Sequence, residues 1–347
     1  MGKKNLFHFD EIRFLMIHLI IINHWVVDRS LVKTGIDDSL VRFWFELTSP
    51  TLAVISGYLF FYGSAERFEY RRKVKSRISS LVIPYLVWCT FFFVVINGFK
   101  LVYGFIFHEN FWVHPVDRLT FVNYLRSLVV PPLANFWYLQ NLILIIPLCY
   151  GIYYLLKNRW VFLATLTAVI LLYWNFQLPL YFSARFLPYY LVGCYMGYYH
   201  YQLPKIKMNP GVALLLVPVI YSVTWLPVGT AALQVCRLAM VLIFLFLAYN
   251  FMDTYKESWL VRYLQRNAEH SFLIFCSNIF ILSVTEKGML KLGLGRWLEN
   301  KYYTLFFHLA ALVITLTAII LFGRWLKNHF HRVYSLISGH RVGAGRR

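Results

Sequence analysis

Apolar residues in this chain come in long runs, without the alternation that marks a half-buried strand or the stripe that marks a surface helix. A membrane helix needs about 20 mostly apolar residues to cross roughly 30 Å of hydrocarbon. About ten stretches qualify: 7 to 27, 43 to 63, 79 to 99, 133 to 156, 160 to 176, 183 to 200, 209 to 227, 230 to 252, 270 to 286 and 303 to 325. Short polar segments separate them. The pattern predicts an all-α, polytopic integral membrane bundle of about ten transmembrane helices, with one transmembrane domain over residues 1–328 and a basic tail over 329–347. Gly339, Gly343 and Gly345 in that tail argue against a folded element there. The first run carries Arg13, His18 and His24 and lacks a small-residue cleavage site, so it reads as a retained helix rather than a cleaved signal.

Composition agrees with the pattern. Of 347 residues, 59% are hydrophobic, 19% aromatic and only 14% charged, whereas a soluble domain carries roughly a quarter charged residues. A soluble globular protein, a disordered chain and a disulfide scaffold are all excluded. The net charge of +19 would suggest nucleic acid if it formed a patch, but the basic residues lie in the connections. With ten spans, 21 of the Lys and Arg residues fall at the termini and the even-numbered connections and 11 on the other side. By the positive-inside rule both termini are cytoplasmic, the partner surface is a lipid bilayer, and no nucleic acid is expected. The five cysteines all lie in apolar runs, where a thiol behaves as a small hydrophobe. No metal site is expected, since His108, Glu109, His114 and Asp117 in the longest outer connection match no usual ligand spacing.

An ionisable group inside a bilayer is a functional candidate by default. Arg13 and His24 are eleven residues apart, which at about 100° per residue is three turns and roughly 20°, so they share one helix face about 16 Å apart. His18 lies about 140° from Arg13 and faces elsewhere. Either the pair is functional, or Arg13 snorkels to the interface and His24 bonds Asp28. The basic run Arg71, Arg72, Lys73, Lys75 and Arg77 is a lipid anchor or a phosphate site. Ser56 and Gly57 are a close-packing pair or, less simply, a nucleophile with its support. Trp137 and Tyr138 form an interfacial belt or a sugar-stacking platform. Glu46, Gln140, Asn141 and Arg185 are further candidates to line a cavity.

The first helix, with Asp10, Arg13 and His24, resembles the opening of the membrane acyltransferase-3 family, which carries an Asp-x-x-Arg stretch and an Arg-x10-His motif. Further likenesses follow in family order over most of residues 9 to 286: ISGYLFF with Ser56 and Gly57, RRKVKSRISSLVIPY with Arg71, Arg72, Lys75, Arg77, Pro84 and Tyr85, FWYLQNL with Trp137, Tyr138 and Leu139, and RFLPYYLVG from Arg185 to Gly193. In one departure, Asn278 stands where many members carry a His.

The resemblance implies an O-acyltransferase of a bacterial cytoplasmic (inner) membrane. It would move an acyl group, usually acetyl, from cytoplasmic acyl-CoA to a hydroxyl of an exported or cell-surface polysaccharide or its lipid-linked precursor. Acetyl-CoA is then a co-substrate, and no permanently bound cofactor is expected. In this reading His24 and Arg13 are catalytic, with His24 as general base. Arg71, Arg72, Lys75 and Arg77 bind the donor, and Glu46, Ser56, Trp137, Tyr138 and Arg185 line the acceptor side or the cavity. The rival is a transporter of small anions or glycan fragments with Arg13 and Arg237 as counter-ions. The absence of a convincing internal repeat counts against it.

Overall fold

The computed structural model describes residues 8–23, 36–107, 120–130, 133–172, 186–207, 230–294 and 301–339, together with 209, 216, 219 and 222. These residues form α1 (Phe9–Asn23), α2 (Ile36–Phe61), α3 (Tyr70–Arg77), α4 (Ile83–Phe107), α5 (Phe121–Val129), α6 (Trp137–Ile145), α7 (Cys149–Leu156), α8 (Arg159–Leu172), α9 (Leu187–Tyr198), α10 (Thr230–Thr254), α11 (Trp259–Asn267), α12 (Ser271–Lys291), α13 (Lys301–His329) and α14 (His331–Ile337). Among the described residues there is no strand. Four helical stretches are long and apolar enough to cross a membrane: Tyr70–Gly98, Ala232–Thr254, Trp259–Lys291 and Phe306–His329. A fifth is added if α6 and α7, bent by 63° at their junction, make one span. The sequence pattern reads 133 to 156 as continuous. The bend falls at Pro147, which has no N–H to donate to the helix ladder.

The basic run read as a connection is instead helical. It forms α3, which passes through a π-helical turn, Ile78–Val82, into α4. Pro84 accounts for that turn. It cannot donate to the carbonyl four residues back, that of Ser80, and its ring would crowd the same carbonyl, so the ladder widens to five-residue steps.

The most extensive helix contact joins α2 to α9. It rests on three glycines. A Cβ on Gly57 would collide with the Tyr190 carbonyl, one on Gly193 with the Val54 carbonyl, and one on Gly197 with the Tyr58 carbonyl. Gly193 and Gly197 are one helical turn apart, the small-xxx-small spacing that lets backbones touch in a membrane, where apolar burial alone does not drive helices together. Lys73 fixes the adjoining corner: its Nζ donates to the carbonyls of Phe60 and Tyr62 and, at 2.8 Å, to Ser64 Oγ, capping the end of α2.

The tail is partly folded, which corrects the expectation drawn from its glycines. Tyr334 on α14 is 0% exposed, and its hydroxyl lies 2.8 Å from His270 Nδ1 and donates to the Glu269 carbonyl at 3.2 Å. Trp88 Nε1 donates to the Ile337 carbonyl at 3.0 Å. Gly339, read from the sequence as a loop residue, is the left-handed residue (φ +72) that ends α14 after its C-cap Ser338.

Candidate active site

Helices α1, α2, α3, α6, α9 and α12 and the π turn enclose a narrow cavity of about 60 Å³, room for a few waters. Its polar lining comprises Arg13 from α1, Ser56 from α2, Arg77 from α3, Ser80 from the π turn, Tyr138 from α6 and Tyr190 from α9. Ile17, one turn after Arg13, lines it too, so α1 turns its Arg13 face inward. His18 looks the other way: its Nε2 lies 3.3 Å from the Tyr263 hydroxyl on α11, and Nδ1 lies 2.7 Å from the Phe14 carbonyl.

The two arginines make this cavity electropositive. Arg13 Nη1 donates to Asp10 Oδ1 at 3.1 Å, but Asp10 is mostly in solvent. Arg77 lies over the Phe60 ring at 5.7 Å and within electrostatic range of Arg13. Among the described residues no carboxylate comes within ion-pair distance of it. Two guanidinium groups facing one cavity with a single, solvated counter-charge favour an anionic or strongly hydrogen-bonding occupant. Deeper in, Ser56 Oγ and the Tyr138 hydroxyl are 3.1 Å apart. A neutral phenol is not the adjacent base that a nucleophilic serine needs, so Ser56 reads as a hydrogen-bonding group of the wall and Gly57 as its packing neighbour.

Outside the cavity lies a groove of about 510 Å³ bordered by Arg67, Arg72, Lys73 and Arg77, with Phe60 and Glu69. Phe60 and Arg77 line both spaces. The groove and the cavity are thus separated by those two side chains. Arg67 Nε and Arg72 Nη1 meet Glu69 at 2.8 and 3.1 Å. Hydrogen bonding from Arg72, followed by the charge of Arg67, holds the Glu69 carboxyl below its usual range. It therefore stays ionised near neutral pH and offsets part of the positive charge.

An acyltransferase domain family model matches residues 8–327, nearly the whole chain. The chain belongs to the acyltransferase-3 family. Over a short stretch it is also similar to the succinoglycan biosynthesis protein ExoH of Rhizobium meliloti (strain 1021), at 34% identity over 56 residues, 16% of this chain and 15% of that protein. No solved structure matches the chain at a significant level.

The structure of this acyltransferase brings together Arg13, Arg77, Ser56 and Tyr138 from the residues the sequence singles out. Arg72 stands on the outer groove, while Arg71 and Lys75 are exposed and border neither space. Trp137 packs edge-on against Tyr138, with ring centres 6.2 Å apart, and does not line the cavity. Glu46 on α2 pairs with Arg237 on α10 at 2.7 Å, away from the cavity lining. Gln140 and Asn141 donate to the carbonyls of Val129 and Trp137. His24 and Arg185 lie outside the described residues. Asn278, in the family's His position, donates to the Phe275 carbonyl at 3.0 Å, and Phe275 itself lines the cavity.

Sequence reasoning missed Tyr190 and Phe60. Both look like ordinary membrane aromatics, and the available signal was the glycines beside them. Gly57 and Gly193 force the α2–α9 contact that sets Tyr190 opposite Ser56. Among the described residues no three His, Cys, Asp or Glu side chains converge as a metal would need.

Proposed function

We propose that this membrane acyltransferase takes an acyl group, acetyl in the first instance, from acyl-CoA and passes it to a hydroxyl of an exported or cell-surface polysaccharide or its lipid-linked precursor. The observation that carries the reading is that Phe60 and Arg77 line both the basic groove and the cavity holding Arg13. The groove suits the phosphates of CoA, which Arg67, Arg72 and Arg77 would bind as charge-assisted donors. The pantetheine arm would then displace Phe60 and run inward past Arg13, toward His24 as general base for the sugar hydroxyl. The similarity to a protein named for succinoglycan biosynthesis supports a glycan acceptor. The transporter reading is less well supported, because Arg237 is matched by Glu46 instead of facing the cavity with Arg13.

Purified protein given radiolabelled acetyl-CoA and a glycan acceptor should release free CoA and label the glycan; a transporter would move solute and release none. Arg72→Gln with Arg77→Gln should raise the KM for acetyl-CoA about tenfold or more, since charged hydrogen bonds are each worth about 1.5–3 kcal/mol. The remaining KM should depend less on salt. Arg71→Gln with Lys75→Gln, off the groove, should change KM much less. An unchanged KM in well-inserted Arg72/Arg77 protein would return the cluster to a lipid anchor.

The same reading places groove and termini on the cytoplasmic side of an inner membrane. Thiols introduced at Asp117 and Glu299 should be labelled from outside intact cells, and thiols at Lys75 and Gly343 should not. External labelling at position 75 would reverse the orientation.

A further inference from the structure

A second basic groove, of about 470 Å³, lies between α11 and α13, apart from the cavity and groove described above. Ser258 caps the start of α11, its Oγ accepting from the Val261 N–H at 3.3 Å. The helix turns Val261 and Leu264 inward and leaves Arg262 and Arg266 exposed. Arg324 from α13 completes the wall and is positioned by its hydrogen bond to Asn267 Oδ1 at 2.9 Å. Of these three cations, Arg262 meets one exposed carboxylate, Glu257, at 2.6 Å. Among the described residues neither Arg266 nor Arg324 has an acidic partner.

The rest of the wall is of a different kind. Trp259, 80% exposed, stacks on Tyr263 with ring centres 6.1 Å apart. Leu321, 57% exposed, opens the groove onto the apolar outer face of α13. Guanidinium groups sharing a groove with an exposed Trp and a half-buried Tyr, at the charged end of a membrane-length helix, form the chemistry of a headgroup site. An apolar wall has no use for a free phosphate, but it gives acyl chains a path along the helix. The third arginine disfavours a headgroup that carries its own cation.

We infer that the α11–α13 groove binds one anionic phospholipid, with its phosphate diester on Arg262, Arg266 and Arg324 and its chains along Leu321. The Tyr263 hydroxyl in this groove lies 3.3 Å from His18 on α1, so the bound lipid would abut the helix that presents Arg13 to the cavity.

Native mass spectrometry of the full chain in detergent, titrated with dioleoylphosphatidylglycerol or dioleoylphosphatidylcholine, tests this. The wild type should retain one phosphatidylglycerol at concentrations where phosphatidylcholine is lost. Arg262→Gln with Arg266→Gln, both exposed, should weaken that retention about tenfold or more. Lys157→Gln with Arg159→Gln, which removes the same charge elsewhere, should leave it intact, and excess inorganic phosphate should not displace the lipid. Equal retention of the two lipids, wild-type retention by the Arg262/Arg266 variant, equal loss in the Lys157/Arg159 variant, or displacement by phosphate would each overturn the assignment.

Discussion

Replacing His24 with glutamine should lower kcat for acetyl transfer by about 10² to 10⁴ while acetyl-CoA still binds, because that is the usual contribution of a general base to such a step. Glutamine keeps the size and hydrogen bonding of the imidazole but cannot take up a proton near neutral pH. A sugar hydroxyl is a poor nucleophile until its proton is removed as it attacks the thioester. Arg13 should behave differently. Arg13→Lys keeps the charge facing the cavity but loses the planar fork, so donor binding should weaken with turnover retained. If the His24→Gln protein, inserted at normal levels, works at the wild-type rate across pH 6 to 8, the base lies elsewhere and His24 is an interfacial residue.

Gly193→Ala should have the largest effect on stability. The new Cβ would meet the Val54 carbonyl of α2, and backbone cannot swing aside as a side-chain tip can. The cost should reach or exceed the upper end of the roughly 1–3 kcal/mol typical of overpacking. Gly151→Ala provides the contrast: it sits on helix α7 with nothing within 4 Å of its Cβ position, so removing a helical glycine there should be neutral or stabilising by up to about 1 kcal/mol. Thermal unfolding of both variants in detergent would check the pair, and equal melting temperatures would mean that α2 and α9 are not held by backbone contact.

Helix positions were legible in the chain because long apolar runs have few alternatives in a bilayer. Outside 209 to 227, each candidate span contains an α-helix among its described residues, though not over its whole length. Helical spacing makes a shared face for Arg13 and His24 legible, but it leaves open whether that face meets a cavity or the interface; the cavity lining, with Ile17 beside Arg13, puts Arg13 inward. Interruptions were harder to read. Pro147 and Pro84 are plain in the sequence, but whether a proline bends a span or only widens one turn depends on what packs beside it. Gly339 shows the same ambiguity, because glycine marks a loop and a helix end equally well. The cavity wall was legible only in part. Tyr190 and Phe60 matter through contacts between distant segments, and apart from the nearby glycines no local pattern separates a cavity aromatic from one facing lipid.

The glycine contact also constrains how the site opens. Side-chain layers between helices act as soft spacers that let one helix slide over another by small repacking. At Gly57, Gly193 and Gly197 no such layer exists, because backbone meets backbone. Helices α2 and α9 therefore move as one rigid strut, and the spacing between Ser56 and Tyr190 is fixed like that of two points on a single beam. Under the proposed function, room for a donor has to come from the compliant side of the site, from the Phe60 and Arg77 side chains and the widened turn at Ser80, with the three-glycine contact as the unyielding wall opposite.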